Sequence, residues 1–360
     1  MNLRRVRAVA RKELLHILRD PRSLGIGIAM PILLLLLFGY ALTLDVDDVP
    51  IAVWDQSRTP ASRELISRFD ASRYFSLVSY PTTYREIESA IDRRDVLVAL
   101  VIPMDYGRRK NVRVQLIVDG SDANTAAIAV NYAEAILGNT VNAVMHPAEL
   151  RPRIWFNPEM ESRIYIVPGL IAVIMMVIAA LMTSLTIARE WETGTMEQLI
   201  STPLRGHELI IGKLLPYFGI GALDVVLAVG MGVLLFDVPL RGSPVLLTVS
   251  AGIFLIGALS MGMLISIVTK AQLLASQIAM VTTFLPAFLL SGFMYDIGNM
   301  PVPVQVITHI VPARYFVALL KGIFLKGVGL DVLAGQLAFL AAFTTIVFVV
   351  ANLKFVKKLR

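Results

Sequence analysis

The sequence contains no cysteine and has little charge for its length. Without a thiol among its 360 residues, the chain cannot form disulfide bonds, thiolate metal sites or a cysteine nucleophile. Charged residues make up 17% of the chain and hydrophobic residues 56%, whereas soluble domains average about 25% charged. The charge is missing from long continuous stretches, and this distribution indicates a membrane protein rather than a soluble one.

Motifs for nucleotide hydrolysis and for common hydrolytic chemistry are also missing. No Gly-x-x-x-x-Gly-Lys-[Ser/Thr] loop occurs, so we expect no nucleotide site in this chain. The four histidines are scattered, and there is neither a His-Glu-x-x-His pair nor a Gly-x-Ser-x-Gly elbow. We expect no catalytic residues, metal or cofactor, and the chain is not expected to be an enzyme by itself. No basic stripe with interleaved aromatics accompanies the net charge of +6, which argues against nucleic acid.

Six apolar stretches are long enough to cross a bilayer, because a hydrocarbon core of about 30 Å needs about 20 helical residues. A charged residue occurs within only one of them, at Asp224. The stretches predict transmembrane helices at 24–44, 164–188, 214–236, 245–268, 272–294 and 332–353. Pro31 is expected to kink the first helix. The fold class predicted is therefore an α-helical polytopic membrane protein.

Residues 45–163, between the first two spans, differ in character because charges return and strand patterns appear. Two helix starts carry recognisable capping patterns, Thr59-Pro60 and Thr83-x-x-Glu86. The strand candidates are Pro50–Trp54, Tyr74–Tyr80, Val96–Ile102 and Val112–Val118, and a longer helix is expected from Asp122 to about Met145. The order β-α-β-α-β-β-α predicts a small inserted α/β domain.

Residues 1–23 predict an amphipathic helix that lies in the membrane interface. Apolar residues recur at steps of three or four along residues 3–19, and basic residues flank this stripe. The stripe consists of Leu3, Val6, Ala10, Leu14, Ile17 and Leu18. Asp20-Pro21 is expected to end the helix, because proline disfavours helical conformation in the residue before it.

Residues 295–331, between the fifth and sixth spans, are semi-apolar but interrupted. Three prolines, Pro301, Pro303 and Pro312, break the run before a short helix expected at Ala313–Leu325. The segment is too broken to cross the bilayer as one helix, so we expect a re-entrant or interfacial segment.

Basic residues in the short connections predict the orientation of the chain. They are concentrated in residues 1–23, the loop 189–213, the connection at Lys270 and the tail 354–360. The opposite short loops contain only Arg241, Arg314, Lys321 and Lys326. Because positive residues favour the cytoplasmic side, we expect both termini in the cytoplasm and residues 45–163 outside.

The loop 189–213 predicts a break after the second span and a short surface helix. Gly194 interrupts the helix, and Thr195 is expected to cap the next one. Pro203 then stops this short helix before a third begins near Gly206. The second span therefore continues past the membrane, breaks and returns through a surface helix.

Two features leave alternatives open on the residues alone. We expect Glu190, Glu192 and Glu197 to be exposed, either docking into a groove on a soluble partner or belonging to a solvated loop. Asp224 is the only charge within a span, and such residues are functional by default in membranes. The other interpretation of Asp224 is a polar contact at a helix or subunit interface.

Three motifs stand out along the chain. Residues 11–22 read Arg-Lys-Glu-Leu-x-His-x-x-Arg-Asp-Pro-Arg, and a second motif, Glu-x-x-x-Gly-Thr-Met-Glu-Gln-Leu, starts at Glu190 and runs on to Gly-Lys213. The third comprises Leu290-Ser-Gly-Phe-Met, Asn299-Met-Pro and Pro312-x-Arg-Tyr-Phe. Together with an insert between the first two spans, these motifs resemble the signatures of ABC type-2 transporter permeases, especially the bacterial multidrug-export branch.

The resemblance implies the membrane-spanning permease subunit of an ATP-binding-cassette exporter. Such a subunit pairs with a second permease, as a homodimer or with a paralogue, and binds separate ATPase subunits that hold ATP and magnesium. It would lie in the bacterial cytoplasmic (inner) membrane and export hydrophobic or amphipathic compounds such as drugs or lipids. A periplasmic adaptor is left open as a further partner.

By the same resemblance, the short helix in the loop 189–213 corresponds to a coupling helix, and residues 295–331 to re-entrant helices that gate the exit. The implied coupling residues are Glu190, Glu192, Thr193, Gly194, Thr195, Met196 and Glu197. The implied exit gate comprises Pro312, Arg314 and Tyr315. Two rival functions fit less well: a membrane-anchored sensor would need a larger cytoplasmic output, and an ion-coupled carrier would need more buried charge.

Overall fold

A computed structural model describes residues 2–41, 48–93, 95–109, 112–119, 126, 128–137, 161–295 and 297–355. The chain divides into two compact units, one of residues 1–43 with 155–360 and one of residues 44–154. The helix predicted from Asp122 to Met145 is described only in part, and the end of the predicted tail, 356–360, lies outside the described residues.

The chain begins with α1 (Leu3–Arg19), which ends at Asp20-Pro21 as predicted. A second helical run follows as α2 (Pro21–Leu24), a π-helical turn (Gly25–Ala29) and α3 (Met30–Ala41). The widened turn lies directly before Pro31, whose ring crowds the carbonyl four residues back and whose nitrogen cannot donate. The N–H of Met30 accordingly bonds to the Gly25 carbonyl, five residues back. Pro31 therefore perturbs this helix by local widening.

Residues 44–154 form a four-stranded sheet covered by helices. Its elements are β1 (Val49–Asp55), α4 (Pro60–Asp70), β2 (Phe75–Ser79), α5 (Tyr84–Asp92), β3 (Val98–Ile102), β4 (Gln115–Val118) and α6 (Ile128–Leu137). The strand order is β2-β1-β3-β4, with β1 parallel to β2 and β3, and β4 antiparallel to β3. One face packs against α4 and α6, and the other packs against α5.

The remaining helices belong to the first unit. They are α7 (Ser162–Glu192), α8 (Thr195–Ser201), α9 (Gly206–Leu234), α10 (Pro244–Thr269), α11 (Gln272–Leu289), α12 (Val302–Thr308), α13 (Pro312–Lys321) and α14 (Leu330–Lys354). Within the described part of the chain, five of these are long and apolar enough to span a membrane: α7, α9, α10, α11 and α14.

Two of the predicted spans differ in length from the helices observed. The fifth predicted span, 272–294, is too long, because α11 ends at Leu289 and Gly292 follows in a left-handed conformation with φ of +77°. The first predicted span corresponds to an apolar helix, Gly25–Ala41, that is shorter than the other five. With α2 included, the helical run from Pro21 to Ala41 measures about 30 Å at 1.5 Å per residue, which matches a bilayer core.

The helix α7 forms the centre of the first unit, because its apolar length is mostly buried between the other helices. Its contact with α10 is close and partly polar. The Thr183 hydroxyl donates to the Leu259 carbonyl at 2.9 Å, and the Ser266 hydroxyl oxygen accepts from the backbone N–H groups of Ile187 and Ala188. Small and hydroxyl-bearing residues allow such close approach between helices in a membrane.

Substitution of Gly262 tests the close contact between α7 and α10. A Cβ at this position would lie 2.8 Å from the Ala180 Cα and would also collide with the Ala180 carbonyl and the Thr183 hydroxyl. We expect Gly262→Ala to lower stability by about 1–3 kcal/mol through overpacking, measured as the melting midpoint of the purified protein in detergent. Gly252→Ala is the matched control on the same helix, because a Cβ there would meet only the Phe218 Cζ, at an ordinary contact distance of 4.0 Å. Equal losses in the two variants would contradict the packing argument.

Candidate coupling site at the junction of α1, α7 and α9

The break between α7 and α8 depends on one glycine. Gly194 has φ of +72°, a left-handed conformation that glycine adopts without strain. Open space surrounds the position, so the constraint comes from the backbone and not from packing. The predicted cap at Thr195 is wrong: Gly194 occupies the N-cap position, and Thr195 is the first residue of α8. The helix ends at Ser201, before the predicted stop at Pro203, because the residue preceding a proline favours an extended conformation.

Glu190 lies inside the protein, so its predicted exposure is wrong. Glu190 is only 8% exposed. One carboxylate oxygen accepts hydrogen bonds from the ammonium groups of Lys12 at 3.0 Å and Lys213 at 3.1 Å. The other oxygen accepts from the Thr195 hydroxyl. Glu190 therefore connects the start of α8 to α1 and α9.

Lys213 lies at the centre of this arrangement. Its side chain is 2% exposed and forms ion pairs with Glu190 and with Glu13 of α1, the latter at 2.9 Å. The second Glu13 oxygen accepts from the Tyr217 hydroxyl at 3.2 Å. We call the five residues Lys12, Glu13, Glu190, Lys213 and Tyr217 the charged hub. It joins three helices that are far apart in sequence.

A second contact holds the beginnings of α1 and α9 together. The Glu208 carboxylate accepts from the backbone N–H of Asn2 at 2.7 Å and from that of Arg205 at 3.1 Å. These two residues precede the two helices, so one side chain satisfies unpaired amide groups at both N-termini. Gly212 permits the close approach of α1, since a Cβ there would lie 2.7 Å from the Val9 Cβ.

The end of α7 also contacts the end of α1 and the start of α11. Arg189 forms an ion pair with Asp20 at 3.4 Å and contacts the His16 ring. Glu192 accepts from the backbone N–H of Gln272 at 2.7 Å, at the start of α11. The end of α7 is therefore fixed on several sides, whereas α8 projects from it.

The seven predicted coupling residues divide into two groups. Glu192, Thr193, Gly194 and Glu197 are exposed, while Glu190 and Met196 are buried and Thr195 is half-buried. The exposed group can meet a partner directly. The buried group connects α8 to the interior, through the Thr195–Glu190 hydrogen bond and the packing of Met196 in the core.

The structure places Asp224 at the contact between α9 and α3. The residue is 2% exposed and lines a small cavity together with Pro31, Leu35 and Met231. Its Oδ1 atom has no hydrogen-bond partner among the described residues. This position is compatible with either interpretation of Asp224, so its role stays a prediction.

The three predicted exit-gate residues lie at a sharp bend. The pair of helices formed by α12 and by α13 with its following turn is bent by 86°. Pro312 is the first residue of α13. The Arg314 guanidinium donates to the Gln305 carbonyl at 3.3 Å and to the Thr308 hydroxyl, and the Tyr315 hydroxyl donates to the His309 carbonyl at 2.9 Å. These contacts hold α13 against the end of α12.

Sequence reasoning missed four of the five hub residues as site residues: Lys12, Glu13, Lys213 and Tyr217. A signal exists for Glu13, because the residues of α1 that are buried in the protein are Val6, Val9, Ala10, Glu13 and Ile17. The predicted stripe included Leu14 and Leu18, which are exposed, and omitted Glu13, which is buried. A glutamate at helical spacing on a buried face indicates an ion pair with a distant cation.

The apolar helices, the charged hub and the projecting α8 define a polytopic membrane protein with a surface helix linked to its core. Comparison with known proteins identifies the class more closely. The family model for the ABC-2 family transporter protein matches residues 21–353. The chain belongs to this family, and it is the membrane permease subunit of an ABC exporter.

Three Escherichia coli K12 proteins illustrate the similarity. The probable multidrug ABC transporter permease YbhS is 37% identical, with 91% of this chain and 90% of YbhS covered. The probable multidrug ABC transporter permease YbhR is 33% identical, with 92% and 93% covered. The inner membrane transport permease YhhJ is 26% identical, with 86% and 85% covered. Membership of this family implies an ABC ATPase partner and a dimeric arrangement of permeases.

Removal of Lys213 tests the charged hub. Lys213→Met would leave Glu13 and Glu190 buried with too little positive charge, and breaking a buried pair costs about 3–5 kcal/mol. We expect a large fall in the melting midpoint of the purified protein. Lys12→Met removes a cation whose side chain is 54% exposed, so about 1 kcal/mol or less is expected. Equal losses would show that burial of Lys213 is not decisive.

Proposed function

We propose that this chain spans the membrane six times, with both termini in the cytoplasm and the α/β unit of residues 44–154 outside. The Pro21–Ala41 run and the five long apolar helices supply the spans. The bent pair α12–α13 forms a re-entrant exit gate between the fifth and sixth spans. Leu14 and Leu18 on the exposed face of α1 enter the membrane interface, as suits an amphipathic helix beside a span.

The proposed function is export of hydrophobic or amphipathic compounds, drugs or lipids, driven by ATP that separate ABC ATPase subunits hydrolyse. The ATP and magnesium are held by those subunits, and two permeases pair to form the path. The relatives YbhS and YbhR are named as multidrug permeases, and we extend that cargo class to this chain. The proposed location is the inner membrane.

One observation supports α8 as the coupling helix. It is exposed at Glu197 and attached to the hub through the Thr195–Glu190 hydrogen bond. A push on α8 would therefore reach α1, α7 and α9 through Glu190, Lys12 and Lys213. A solvated connecting loop would lack such an attachment.

Substitution of Gly194 tests the coupling role. Proline requires φ near −65° and cannot adopt the left-handed conformation of Gly194, whereas asparagine tolerates it. We expect Gly194→Pro to reduce ATP-driven dye efflux from cells at least about 10-fold, with normal membrane insertion, and Gly194→Asn to retain efflux. Binding of the ATPase is followed by co-purification. Unchanged efflux in Gly194→Pro would contradict the coupling role, and failure to co-purify any ATPase would contradict the complex.

The absence of cysteine allows a direct test of orientation. Single cysteines are introduced in place of Glu197 on α8 and of Glu88 on α5, both exposed glutamates. We expect a membrane-impermeant maleimide to label Glu88→Cys in intact spheroplasts, and to label Glu197→Cys only after the membrane is permeabilised. The reverse pattern, or labelling of both from one side, would contradict the proposed topology.

A further inference from the structure

A cavity of about 510 Å³ lies beside the charged hub, between α1, the helical run at residues 26–30, α7 and the start of α9. This volume is within the range of about 300–1,000 Å³ found for small-molecule pockets. The function assigned to the hub does not use this space. Its lining indicates the kind of molecule that would fit.

The lining of the cavity changes from apolar to polar along its length. Along α7, the lining changes from the apolar residues Ile178, Leu181 and Leu185 to the polar residues Arg189 and Thr193. The distance along the helix from residue 178 to residue 193 is about 22 Å, at 1.5 Å per residue. At the apolar end Ile26 and Met30 complete the wall, and at the polar end α1 contributes Lys12 and His16. A molecule that matches both ends has an aliphatic or aromatic body and a polar head.

The charges at the polar end favour an anionic head. The Glu13 and Glu190 carboxylates are buried, and all four of their oxygens already accept hydrogen bonds. The accessible charges are cationic, since the side chains of Lys12 and Arg189 are 54% and 30% exposed. Among the described residues, Glu190 is the one partner of the Lys12 ammonium, which has three N–H donors.

We propose that this cavity binds an amphiphile with an anionic head, with the carboxylate or phosphate at Lys12 and Arg189 and the apolar chain along Leu181 and Leu185. In the exporter proposed above, on which this part of the inference rests, the molecule is cargo taken up at the polar end of α7. The same chemistry belongs to free fatty-acid-like compounds and to anionic lipids, and the test separates the two sources.

The test uses the full chain in nanodiscs of phosphatidylcholine. The probe is 11-(dansylamino)undecanoic acid, and its methyl ester is the matched neutral compound. We expect saturable fluorescence enhancement with the acid and at least about 10-fold weaker binding of the ester, because a charge-assisted hydrogen bond is lost. Equal affinities for acid and ester would overturn the anionic preference. Absence of saturable binding would overturn the site.

Variants locate the binding. Lys12→Glu reverses the head-group charge and is expected to weaken the acid at least about 10-fold, while Leu181→Gln is expected to weaken both acid and ester. Lys326→Glu makes the same charge change at an exposed position outside the cavity and should bind as the parent does. Equal weakening in Lys326→Glu and Lys12→Glu would overturn the placement. Size-exclusion profiles and melting midpoints identify any variant that fails to fold.

Two further measurements are needed. One distinguishes free amphiphiles from anionic lipids as the molecule bound, and the other distinguishes failure of this inference from failure of the proposed function. Replacement of phosphatidylcholine by phosphatidylglycerol is expected to reduce probe binding if anionic lipid occupies the cavity, and to leave it unchanged if only free amphiphiles do. ATP-driven dye efflux is measured in parallel in cells. Efflux without probe binding would overturn this inference and keep the proposed function, whereas binding without efflux would contradict the proposed function and keep the site.

Discussion

The buried ammonium of Lys213, held between two carboxylates from different helices, is the constraint on which this end of the protein depends. A charge with 2% side-chain exposure loses most of its hydration and is tolerated only when partners of opposite sign surround it. Glu13 comes from α1, and Glu190 comes from the end of α7. These three helices must therefore dock in one register. Ion pairs of this kind add little net stability because desolvation offsets their attraction, whereas removal of one partner leaves a buried charge without compensation.

The hub also attaches the seven-residue helix α8 to the interior of the protein. The start of α8 is attached through Thr195 to Glu190, and the turn at Gly194 separates it from the axis of α7. The Glu190 carboxylate also accepts hydrogen bonds from Lys12 and Lys213. A displacement of Thr195 must therefore either move Glu190 and these partners or break a charge-assisted hydrogen bond. This continuous chain of contacts, from an exposed surface to three helices, supports the coupling role proposed for α8.

Sequence reasoning identified the apolar helices well, because hydropathy is a sum over neighbouring residues and needs no knowledge of tertiary contacts. It also located the break at Gly194 and the end of α1. It failed where burial depends on a distant partner: Glu190 was expected at the surface, and its cation Lys12 lies 178 positions away. The prediction of a cap at Thr195 was wrong for a local reason: Gly194 takes the N-cap position, and the Thr195 hydroxyl donates back to Glu190. The end of α11 was missed because the apolar run continues beyond Leu289, while the backbone turns at Gly292.

The hub and the cavity share residues, and this overlap connects occupancy with coupling. Lys12 forms its one hydrogen bond among the described residues with Glu190, so an anionic head placed at Lys12 would use the other N–H donors of the same ammonium and lie close to the Glu190 carboxylate. The two negative groups would repel each other and weaken the Lys12–Glu190 pair, while Glu190 keeps its hydrogen bonds from Lys213 and Thr195. By linkage, if a bound head shifts the equilibrium of α8 through Glu190, a partner that shifts α8 the other way weakens binding of the head by the same factor. In the proposed exporter, a push on α8 would therefore reach a bound head through the Glu190 carboxylate.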